Sequence, residues 1–223
     1  MKLIGIIIIL LLHWYIIQKI ANQFIKKIKF DIFKLHTILA PINILLTFIF
    51  IKFSNLSLKD AGFTIGNLKE GLISIFLIGL PAAVISAFFT SKTAKETFKE
   101  ISYLLPDSKW KIIYMGILVG PVEETLYRGF LQGNLSTIIH GNLFIFNFST
   151  ILASIIFTFI HYLNTVNKAE SLKVFLSMIP VRFVAALILG YSFQISRSLI
   201  YPIIIHNLID GFNITALDKA KSR

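Results

Sequence analysis

Long apolar runs separated by short polar stretches dominate the chain. The runs cover roughly residues 3–20, 37–53, 71–90, 111–131, 143–163, 173–195 and 199–216. Each is close to the length an α-helix needs to cross the hydrocarbon core of a bilayer. Lipid offers backbone groups no hydrogen-bond partner, so such runs are helical. The pattern predicts an all-α fold, a polytopic transmembrane helical bundle with about seven spans. Pro202 falls in the first turn of the last run, where proline is tolerated. Pro180 lies inside the sixth and predicts a kink whose freed carbonyl neighbouring helices must satisfy. Between the third and fourth runs, residues 92–111 place Phe98, Ile101, Leu104 and Leu105 on one helical face with lysines elsewhere. That pattern predicts a helix lying on the membrane surface. The opening MKLIGIIIILLLHWY resembles a signal peptide. His13, Trp14 and Tyr15 follow where small residues would mark a cleavage site, so a retained first helix is expected. Neither a repeat nor a low-complexity linker divides the chain, and residues 1–223 read as one membrane-embedded domain.

Composition agrees with the patterning. Hydrophobic residues make up 56% of the chain and the mean hydropathy is +0.78, above what a soluble domain carries. The formal net charge is +11. In a soluble protein that excess would point to nucleic acid. Here the lysines lie between apolar runs, where orientation in the membrane and contact with anionic lipid account for them. Lipid is therefore an expected partner and nucleic acid is not. With seven spans and the N-terminus outside, fifteen Lys and Arg residues fall on the cytoplasmic side and five on the outer side. The asymmetry favours N-terminus out and C-terminus in. Cysteine is absent, which excludes disulfides, thiolate metal sites and a cysteine nucleophile. The richness in Ile, Phe, Lys and Asn suits an AT-rich bacterial genome, which places the chain in the cell membrane of a bacterium.

Three of the eleven acidic residues do not lie in loops or tails: Glu123, Glu124 and Asp210. Ionisable groups inside a bilayer cost about 2.5–3.5 kcal/mol each on insertion scales and are functional candidates by default. His161 and His206 also fall in or at the end of runs. Glu124 and Arg128 are four apart and can pair along one helix face. Glu123 is rotated by about 100° from Glu124, so it is free to face a cavity and exchange a proton there. Gly120 and Pro121, just before them, are compatible with a helix break that admits water. Phe157 and His161 are also four apart, as are His206 and Asp210. A carboxylate one turn from a histidine can accept its ring N–H and fix its tautomer. Two histidines converging with glutamates have the donor types to hold a divalent metal such as zinc, or to polarise a water directly. Each pair has a plainer structural reading. Glu124–Arg128 suits an ion pair, His161 an interfacial histidine, His206–Asp210 a packing hydrogen bond, and Phe157 a core or lipid-facing ring. Their conjunction on three runs favours chemistry. Neither a His-Glu-x-x-His zinc helix nor a Gly-x-Ser-x-Gly elbow is present.

The three pairs, in this order, resemble the CPBP family of intramembrane proteases, also called the CAAX-protease and bacteriocin-processing or Abi family. The matching motifs are Glu123-Glu124-x-x-x-Arg128, Phe157-x-x-x-His161 and His206-x-x-x-Asp210, with EETLYRGFLQ and ILGYSFQISRSLIYPIIIHNLID around them. The resemblance covers about residues 110–215, a family-like catalytic core, and leaves the first ninety residues unmatched. It implies an intramembrane metallo-type (glutamate/histidine) endopeptidase with a catalytic cavity between the C-terminal helices, acting on a peptide, leader-peptide or prenylated protein substrate, in bacteriocin immunity or peptide maturation. By that resemblance Glu123 is the general base on a water held with His161, and Glu124 and Arg128 form a supporting pair. His206 and Asp210 stabilise the oxyanion or position the water. The family's last motif ends in Asn or Asp. An ionised aspartate cannot donate to an oxyanion, so Asp210 is expected to orient His206. The alternative from a different class is a non-catalytic membrane immunity or regulatory partner. A proton-relay transporter is disfavoured, because the polar groups form one late cluster with no inverted repeat.

Overall fold

The computed structural model describes residues 3–27, 31–92, 108–167 and 169–221. Most of the predicted surface segment at 92–111 lies outside them. Helix α1 spans Leu3–Lys27 and α2 spans Ile32–Phe53. α3 covers Leu68–Thr90 with a π-helical stretch at Ser74–Gly79. α4 runs without interruption from the segment Lys109–Ile113 through Gly133–Ser136. A two-residue hairpin, β1 Asn142–Leu143 with β2 Phe146–Asn147, precedes α5, Phe148–Ile160, and α6, Tyr162–Val166. α7 spans Leu172–Ser196 and α8 spans Ile200–Lys221.

Local chemistry sets the helix starts. Asp31 accepts from the Phe33 and Lys34 N–H groups, Asn67 from Glu70 and Ser171 from Val174. Each side chain satisfies a donor that the first turn leaves open. α7 ends at Arg197, whose φ of 57° lies in the left-handed region and turns the chain at once into α8.

Five helical segments are long and apolar enough to cross a membrane: Leu3–Ile25, Ile32–Phe53, Leu68–Thr90, Phe148–Val166 and Leu172–Ser196. The chain is a multi-pass membrane protein with an all-α architecture apart from the small hairpin. The expectation of about seven spans is corrected to five by length and composition. The runs at 111–131 and 199–216 do form helices, α4 and α8. Their polar residues lower their hydropathy: Glu123, Glu124, Arg128 and Gln132 in one, His206, Asn207, Asp210 and Asn213 in the other. These are also the helices that carry most of the candidate chemistry. The five segments bury only 22–33% of their most apolar stretch inside the protein. Side chains such as Leu45, Leu77 and Phe89 point outward, as suits helices solvated by lipid.

α4 lies at the centre, contacted by α2, α5 and α8. One core cluster joins Ile6, Ile9 and Leu10 of α1 with Phe50 and Ile51 of α2, Phe130, Leu131 and Leu135 of α4 and Ala153 of α5. A second joins Ile75 and Ala83 of α3, Leu189 of α7 and Tyr201, Ile205 and Ile209 of α8. α8 approaches α3 closely at two glycines. A Cβ on Gly79 would lie 2.5 Å from Ile205, and one on Gly71 would fall 2.3 Å from the Tyr201 ring. α8 also packs against α4, which sets His206 opposite the paired glutamates.

Candidate active site

α4 is not a uniform α-helix where the glutamates lie. Tyr114–Leu118 and Thr125–Gln132 are π-helical and flank the α-helical turn Val119–Glu124. π-Helical segments are rare and frequently mark functional sites. The expected break at Pro121 does not occur: the π-helical widening absorbs the proline and the helix continues.

Arg128 Nε donates to Glu124 Oε2 at 2.9 Å, and both side chains are 0% exposed. This is the pairing the spacing predicts. The Arg128 guanidinium also lies over the Phe157 ring, 5.3 Å from its centroid, within the range of a cation–π contact. Phe157 meets Tyr127 edge-on at 4.8 Å and His161 edge-on at 4.9 Å. The phenylalanine, given a plain packing role on sequence, is the wall between the Glu-Arg pair and the α5 histidine. His161 stands at the junction of α5 and α6, and its Nδ1 donates to the Phe157 carbonyl at 2.8 Å. A carbonyl oxygen can only accept, so Nδ1 carries the proton and Nε2 is left to accept or be protonated. Among the described residues no hydrogen bond joins His161 to Glu123; Phe157 connects the two sides.

His206 links the remaining groups. Its Nδ1 donates to Glu124 Oε1 at 2.7 Å. Its Nε2 lies 3.6 Å from Asp210 Oδ2 and 3.9 Å from Glu123 Oε2. The structure thus assigns the orienting carboxylate differently from the sequence reading. Glu124, 82 residues away, takes the Nδ1 proton, whereas Asp210 flanks Nε2 beyond hydrogen-bond distance. The reason is directional: Nδ1 points at Glu124 of α4, whereas Asp210, on the next turn of α8, lies on the Nε2 side with Glu123. Both oxygens of Glu124 are engaged, one by Arg128 and the other by His206. Glu123, with 28% of its side chain exposed, and Asp210, with 23%, are the open carboxylates. Glu123, Glu124, Arg128, His206 and Asp210 therefore form one cluster, and His161 reaches it through Phe157.

Asn207 carries no motif and escaped the sequence reading. It accepts from the Gly120 N–H at 3.0 Å and donates to the Ile117 carbonyl at 3.0 Å. The signal was a Gly-Pro pair in a helix, which leaves a carbonyl in need of a donor. Glu170 and Arg182 form a bidentate pair, at 2.8 and 2.6 Å, beside the start of α7.

Among the described residues, no group of three His, Asp or Glu side chains is arranged to hold a metal ion. Grooves of about 490 and 380 Å³ lie elsewhere, one between Phe88 and Phe212 and one between Phe63 and Ile203; neither touches the motif residues.

Fold and site together define a multi-pass helical membrane protein with a buried glutamate–arginine–histidine cluster. Residues 106–212 match the family model of the Rce1-like proteins, described as type II CAAX prenyl endopeptidase Rce1-like, and over that stretch the chain belongs to this family. The matched stretch holds all six candidate residues. No curated protein and no solved structure matches the chain.

Proposed function

We propose that the protein is an intramembrane endopeptidase that hydrolyses a peptide bond with a glutamate-activated water. The observation that carries the reading is His206 held at Nδ1 by the buried, Arg128-paired Glu124, with open Glu123 and Asp210 on its Nε2 side. Two adjacent glutamates thus have separate environments, one structural and one free to exchange a proton. In the proposed reaction Glu123 takes a proton from water as the water oxygen attacks the scissile carbonyl carbon. His206, doubly protonated, donates from Nε2 to the oxygen that becomes negative. The carbon–nitrogen bond then breaks, and Glu123 returns its proton to the leaving amine. His161, with Nε2 turned away from its bonded Nδ1, holds the water. Asp210 flanks His206 and balances its charge.

The proposed substrate is a membrane-associated peptide or protein, with prenylated and leader-peptide segments as the two classes the family reading brings. α4 and α8 are proposed to lie within the membrane with the five apolar helices, N-terminus out and C-terminus in, in a bacterial cell membrane. Peptidomics of membranes carrying the wild type or Glu123→Ala tests the reaction. The reading expects peptides that accumulate only with the wild type, at equal protein levels. Identical peptide profiles, with any protective phenotype retained by both Glu123→Ala and His161→Ala, would leave the non-catalytic partner role in its place.

A further inference from the structure

Pro121 has no N–H to give, and α-helical spacing would have paired that N–H with the carbonyl of Ile117. This carbonyl belongs to the π-to-α junction of α4, and the proline leaves it without its helical donor. The Asn207 amide supplies the missing donor, Nδ2 to Ile117 O at 3.0 Å, and its Oδ1 accepts the Gly120 N–H at 3.0 Å. Both ends of one amide thus engage the α4 backbone around the proline, Nδ2 on the carbonyl that Pro121 cannot serve and Oδ1 on the N–H just before it. The fit depends on Gly120. A Cβ there would lie 2.5 Å from Asn207 Oδ1 and 2.9 Å from the Ile203 carbonyl, so α8 could not approach this near.

Asn207 follows His206 in the chain, and Glu124 lies one helical turn beyond Gly120. The clamp therefore fixes the distance and rotation of α8 against α4 at the level where His206 Nδ1 meets Glu124 at 2.7 Å. We infer that Asn207 is a positioning residue. By standing in for the N–H that Pro121 lacks, it docks α8 on α4 and holds His206 on Glu124. It touches no reacting atom. The inference rests on the peptidase reading only for its use in catalysis; the geometry is tested without substrate, so the two fail separately.

The test uses rescue. With alanine at 121 the backbone can close its own bond to Ile117, which makes the donor from Asn207 dispensable. Full-length protein labelled with ¹⁵N-histidine in detergent micelles should show a downfield His206 Nδ1–H signal, identified by its loss in His206→Ala. Asn207→Leu alone should lose this signal. Asn207→Leu in a Pro121→Ala background should keep it. Survival of the signal in Asn207→Leu alone overturns the inference. So does equal loss in both backgrounds, and failure of both to fold counts as equal loss.

Discussion

Replacing Arg128 by methionine takes away a guanidinium and leaves the Glu124 carboxylate fully buried with His206 as its remaining partner. Removing one member of a buried ion pair costs about 3–5 kcal/mol, because the other charge stays out of water uncompensated. The surviving 2.7 Å bond from His206 pulls the value toward the lower end. The lost contact with Phe157 adds a term of about 2 kcal/mol for a desolvated cation–π pair, which restores the upper half of the range. For a chain of this size each kcal/mol moves the thermal midpoint by about 2–4 °C. Arg128→Met should therefore melt about 8–20 °C below the wild type. The double variant Glu124→Gln/Arg128→Met removes both charges, keeps an acceptor for His206, and should recover at least half of the loss. Circular dichroism melts in one detergent at one protein concentration compare the three. A midpoint for Arg128→Met within about 2 °C of the wild type, or a double variant as unstable as the single, would refute the argument that a buried uncompensated carboxylate sets the cost.

Glu123→Gln should abolish peptide release while leaving the melting midpoint near the wild-type value, since Glu123 makes no tight bond; retained cleavage would remove it as the base. Gly79→Val drives a side chain into Ile205 and should cost about 1–3 kcal/mol by overpacking, read as a lowered midpoint. Arg182→Lys keeps the charge but loses the two parallel bonds to Glu170, so it should melt below the wild type. Asp31 lies outside the spans, and its hydrogen bond from Ser108, with those from Phe33 and Lys34, holds its carboxyl below the ordinary value of 3.8. A depressed folded pKa means the stabilisation is present above 3.8 and is lost as pH falls through the lower folded value. Asp31→Ala should therefore lower stability by about 0.5–2 kcal/mol at neutral pH, and the difference from wild type should shrink below pH 3.8.

Helix positions were legible because apolar runs of span length admit few alternatives. Even α4 and α8, too polar to count as spans by composition, were placed as helices within a few residues. The hairpin at 142–147 was not foreseen, because a run beginning at Leu143 reads as continuous with α5. Its turn uses Phe144 at positive φ, and Gly141 just before β1 is also at positive φ, which hydrophobicity does not encode. The proline at 121 suggested a break, and the π-helical stretches instead carry the helix through it.

By itself the sequence determined what lies within one turn of one helix. Glu124 with Arg128, and Phe157 with His161, follow from a spacing of four, and the backbone enforces it wherever the helix forms. The sequence also determined that three ionisable clusters on separate apolar runs had to find one another, because lipid offers them no other partner. Only the tertiary structure decided which groups meet across helices. It gave the His206 proton to Glu124 rather than to Asp210, made Phe157 the link between Arg128 and His161, and brought Asn207 to the proline on α4. Those choices depend on how closely α8 lies on α3 and α4, through Gly71, Gly79 and Gly120. A contact between helices is set by the depth and rotation of packing, and no spacing along a single helix carries either.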